Sequence, residues 1–153
     1  MRRIFGLSVL CALIAAPMAV AAGGRDTAGT LSVRNATGFV SVAARGTLLG
    51  HCDRCTVVIA DPDPTDGKPP VVTPLSATRV QLSDTRTSYS GNGLRFSIIG
   101  GFFRVRVVGT GIDISAVATG SAAVGDGTSG TYSVGGSPFE PVPADRTPLA
   151  LGG

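Results

Sequence analysis

The chain has 153 residues, 43% of them hydrophobic and only 15% charged, with 22 Gly, 10 Pro, 3 Cys, one His and no Trp. That length fits a single domain, and so apolar and weakly charged a composition excludes intrinsic disorder. The formal net charge of +3 would point to a polyanion partner only if it stayed with the folded chain.

It is not expected to stay. Residues 1–22 read as a secretory signal: Arg2 and Arg3 supply a positive start, residues 4–16 an apolar run too short for a stable membrane anchor, and Pro17 ends that run. Small-residue cleavage sites end at Ala21 and Ala22, and cleavage before Gly23 is the preferred reading. Cys11 lies inside the apolar run and leaves with it, since Leu10 breaks the pattern of a lipoprotein signal. Cleavage removes two Arg and no acid, leaving 131 residues with 11 basic against 10 acidic, a net charge of +1. No second apolar stretch reaches the ~18 residues of a membrane helix. The expectation is therefore an exported chain with no stable anchor after cleavage and no nucleic-acid partner.

In the remainder, Gly and Pro recur too often for helices beyond two or three turns. Short runs rich in Val, Ile, Thr and Phe alternate with Gly-containing turns, which predicts an antiparallel all-β domain over residues 23–136. Strands are expected near 30–34, 39–45, 47–50, 56–60, 78–83, 94–99, 102–108, 111–119, 121–124 and 130–134. Residues 35–37 (Asn-Ala-Thr) read as a turn, residues 61–74 as a rigid Pro-rich loop, and residues 137–153 as an irregular Pro-rich tail.

Two hairpin turns give residues 94–119 an internally consistent register. A turn at Gly100-Gly101 sets Ile98 against Phe103, Phe96 against Val105 and Leu94 against Val107. A turn at Gly109-Thr110 sets Val107 against Ile112 and Val105 against Ile114. Both put the same apolar face inside and align Arg95, Arg106 and Asp113 outside, so a three-stranded meander is predicted. Its apolar face needs a covering layer, which makes the fold a β-sandwich or flattened barrel. On the outer face, Ile99, Phe102 and Val117 form an apolar row and Arg95, Arg104 and Arg106 a basic strip. Together they are the candidate interaction surface, weighed against an ordinary solvated face.

His51-Cys52-Asp53-Arg54-Cys55 is the most conspicuous cluster. A redox CxxC sits at a helix N-terminus, whereas Thr56-Val57-Val58-Ile59 reads as a strand. A closed zinc site wants four ligands, and only Cys52, Cys55, His51 and a poor fourth, Asp53, are at hand. The favoured reading is a structural disulfide between Cys52 and Cys55 at a hairpin tip, formed after export. The acidic run at residues 61–67 misses the register of a calcium loop and reads as turn chemistry. His51 is the only His and Glu140 the only Glu, and no nucleophile elbow or phosphate-binding Gly loop occurs, so no catalytic residue, metal or cofactor is assigned.

The stretch from Leu94 to Val117, with residues 38–42 (Gly-Phe-Val-Ser-Val) and 131–133 (Thr-Tyr-Ser), resembles small exported β-rich proteins of high-GC Gram-positive bacteria. The resemblance implies export and a β fold and carries over no functional residue. The functional expectation is an exported, non-enzymatic structural or interaction module of the cell envelope with a partner there. The alternatives are a thiol-redox or metal-handling protein using the CxxC pair, and a hydrolase with an Asp-based site.

Overall fold

A computed structural model describes residues 27–65 and 67–153; the expected leader at 1–22, Cys11 included, lies outside the described residues. Those described form antiparallel strands and no helix: β1 (Gly29–Ala60), β2 (Val71–Thr73), β3 (Thr78–Ser83), β4 (Arg86–Val134), β5 (Glu140–Pro141) and β6 (Thr147–Leu151). The all-β antiparallel class expected from the Val/Ile/Thr alternation is the class observed.

β1 has 32 residues and β4 has 49, far beyond the ~5–6 of an ordinary strand. They bend at corners and wind around each other. Val42 lies between Val105 and Ala122, and Ile59 between Thr87 and Val105. Val105 therefore bridges two β1 residues 17 apart, and Val107 does the same between Val40 and Val57. Seventeen residues thus make one turn of a two-armed ribbon, which stacks into two facing layers consistent with a β-sandwich or flattened barrel.

Across the first sheet the segments run 78–83, 86–92, 54–60, 104–110, 38–45, 119–125 and 147–151. Across the second they run 71–73, 94–99, 47–52, 113–118, 29–34, 131–134 and 140–141. Inward side chains of both sheets, among them Leu31, Val42, Leu48, Leu94, Phe103 and Ile112, merge into one buried core.

The three-stranded meander does not form. Ile98 pairs with Leu48 rather than lying opposite Phe103, which pairs with Ala44. Val105 pairs with Val42 and Ile59, and Ile112 with Ala36. Gly100 and Gly101, at φ +77° and +75°, turn the chain from the second sheet into the first, as a corner and not a hairpin. The inside face was nonetheless correctly assigned, because strand alternation decides which side chains point inward whichever strand is the neighbour: Leu94, Phe96, Ile98, Phe103, Val105, Val107, Ile112 and Ile114 are all buried.

The prolines also leave more structure than expected. β2 forms inside the 61–74 loop and pairs with residues 95–97. The tail supplies β5 and β6, and its Val142 and Leu151 are buried in the core. Arg146 fastens it: the guanidinium lies 4.0 Å from the centre of the Phe39 ring while Nε and Nη2 donate to the Asp126 carboxylate at 2.9 and 2.6 Å. Phe39 faces outward from the first sheet, and this strap covers it.

Candidate functional site: a polar groove on the second sheet

Outward side chains of the second sheet line an open groove of about 570 Å³. Its floor is a cross-strand row. Thr73 pairs with Arg95, Arg95 with His51, and His51 with Asp113; Arg34, beside Val33, continues the row on the next strand. Alongside runs a second row of Val71, Ser97, Leu49, Ser115 and Ser32. Gly50 sits beneath, and a methyl group there would overlap the buried Phe96 ring, so glycine lets the ring fill the core directly under the floor.

At the centre of the floor, His51 Nδ1 lies 3.7 Å from Asp113 Oδ2, with the side chains 36% and 54% exposed. The other Asp113 oxygen accepts the Asn35 backbone N–H at 2.9 Å. Asn35 holds φ +46° at the corner between residues 34 and 36, so the expected turn is a passage between sheets tied to the groove through this bond.

His51 replaces Arg106 in the predicted outer row of Arg95, Arg106 and Asp113. Arg106 pairs with Ser41 and Val58 on the first sheet, and Arg104 with Ala43 and Ala60 beside it. The basic strip is thus divided between opposite faces of the sandwich. Arg104 and Arg106 lie 5.7 Å over Phe102 and Phe39 respectively. The apolar row divides in the same way. Ile99 and Val117 flank Thr47 on the second sheet and stay exposed, while Phe102 pairs with Arg45 around the corner. The six residues do not form one surface, because the corner at Gly100-Gly101 separates what a hairpin would have joined.

Cys52 and Cys55 are joined by a disulfide, as the spacing suggested, at a different place in the fold. They span the corner at which β1 leaves the second sheet for the first, and both are buried in the core. His51, between core-facing Gly50 and Cys52, points to the opposite face, so the sequence neighbours His51 and Cys52 do not share a site. Among the described residues no three His, Cys, Asp or Glu side chains gather as a metal site would require. In the 61–67 loop the Asp61 carboxylate accepts the Asp63 N–H at 3.1 Å and Asp63 accepts the Thr65 hydroxyl at 2.8 Å, which is turn chemistry.

Sequence reasoning missed Arg34, Ser32, Leu49, Ser97 and Thr73 as groove residues. Their outward positions were readable from alternation; which strands lie side by side was not. The tail contributes here too, since Arg34 stacks on Phe139 with its guanidinium carbon 4.0 Å from the ring centre. Among the described residues, no helix is long and apolar enough to cross a membrane. Comparison of the chain with protein-family models, with curated proteins and with solved structures returns no match.

Proposed function

We propose that the chain is an exported, non-enzymatic interaction module of the cell envelope that takes its partner in the groove of the second sheet. The supporting observation is the groove itself, a concave row of exposed charged and hydroxyl side chains held on five rigid strands. His51 and Asp113 are both open to solvent, whereas acid–base and nucleophilic catalysis rely on positioned groups from which water can be excluded. The disulfide fits an oxidising compartment, and its buried sulfurs count against thiol exchange, which needs an accessible sulfur.

The test is capture from envelope extracts by the immobilised exported protein and by Ser115→Trp, which fills the groove from an exposed position. A partner retained by the wild type and lost from the variant, at equal melting temperature, is the expected result. Equal capture by both proteins overturns the assignment to the groove.

A further inference from the structure

Among the described residues the groove carries two guanidinium groups and several hydroxyls against one carboxylate. Among the described residues, Arg95 has no carboxylate partner, and Arg34 touches only the Phe139 ring, which steadies its guanidinium and leaves the N–H edges free. The hydroxyls of Ser32, Thr73, Ser97 and Ser115 have no side-chain or backbone partner among the described residues. Among the described residues Asp113 is the one carboxylate in the lining, and one of its oxygens is already engaged by Asn35.

We infer that the groove binds an acidic peptide segment in extended form, with one carboxylate on Arg95, a second on Arg34, and a backbone N–H between them on Asp113. The inference rests on the interaction-module reading above and names its ligand class. Arg95 and Arg34 stand three strand spacings apart, about 14 Å at the backbone. That is the reach of about four residues of extended peptide.

Each guanidinium stands singly beside hydroxyl donors, Arg95 near Thr73 and Ser97, Arg34 near Ser32. A guanidinium fork pairs bidentately with a carboxylate or a phosphate, but its single positive charge balances a carboxylate fully and leaves a phosphate dianion with residual negative charge. Leu49 and Val71 offer exposed aliphatic contact and, among the described residues, no exposed aromatic ring lies on the floor, which favours a peptide over a sugar ring.

The experiment is fluorescence-anisotropy titration of a labelled, end-capped Glu-Ala-Ser-Ala-Glu peptide against the exported protein. The Gln-Ala-Ser-Ala-Gln peptide and trigalacturonate are run in parallel. We expect saturable binding of the first peptide, about tenfold weaker with Arg34→Gln and with Arg95→Gln, and undetectable with the Gln peptide. Arg104→Gln removes the same charge from the opposite face and should leave affinity within twofold. Equal weakening by Arg104→Gln would reduce the effect to bulk charge and overturn the site. Tighter, Arg34- and Arg95-dependent binding of trigalacturonate would replace the peptide by an acidic glycan. Failure of every probe, with groove-dependent capture intact, would overturn the ligand class while leaving the interaction module standing.

Discussion

Asp113 holds two groups from different strands at once: its Oδ1 accepts the Asn35 backbone N–H at 2.9 Å, and its Oδ2 faces His51 Nδ1 at 3.7 Å. The first contact fixes a corner, and the second is an exposed side-chain contact of the kind that contributes little. Asp113→Ala should therefore cost about 0.5–1 kcal/mol, the net value of the exposed hydrogen bond to the Asn35 N–H, which water can then satisfy. His51→Ala should cost less than half of that. Paired urea denaturations check the ranking, and equal losses would contradict it.

The disulfide closes a loop of four residues, so its expected contribution is about 2 kcal/mol by chain entropy. Cys52→Ala/Cys55→Ala should lower the urea midpoint accordingly. In the folded protein lacking residues 1–22, and with them Cys11, iodoacetamide should add no mass until reductant and denaturant are both present, because both remaining sulfurs are buried. Labelling of the untreated native protein would show free, accessible thiols.

The C-terminal strap should be the first region to open. Arg146→Ala removes both the two hydrogen bonds to Asp126 Oδ2 and the stack on Phe39. Amide exchange in residues 147–151 and on the paired strand 120–124 should accelerate, with residues 40–44 on the next strand less affected. Arg146→Lys should recover little, since an ammonium lacks the planar fork that does both jobs. Leu151→Ala, which empties a core position, should cost about 2–3 kcal/mol.

Burial, and then the charge and hydrogen bond of Glu140, raise the Tyr132 phenol above its ordinary value near 10. The folded state thus holds this proton more tightly than the unfolded chain. The associated stability is complete below the unfolded value and is lost as pH rises through the folded one. Wild-type melting temperature should fall more steeply above about pH 10 than that of Tyr132→Phe. Ultraviolet titration of the phenolate checks the shift directly, and identical alkaline limbs would refute it. Because β5 follows Phe139, this loosening should also free Arg34 and weaken peptide binding at high pH.

The linear sequence determined the β class, the inward set of side chains, the β3 segment and the pairing of Cys52 with Cys55. Each depends on local information: β-branched alternation, Gly and Pro punctuation, and a spacing short enough to close. The Ser-rich strand at 86–92 escaped notice because half its residues are small and polar, and the tail strands because proline masks them. Strand neighbours were decided only in three dimensions. A hairpin at Gly100-Gly101 and a corner there bury the same residues, so hydrophobic patterning does not distinguish them. The winding of β1 with β4 chooses the corner, because it buries both arms against each other in two sheets. That choice sends Arg104 and Arg106 to one face and leaves Arg95 beside His51, Asp113 and Arg34 on the other, which is what makes the groove.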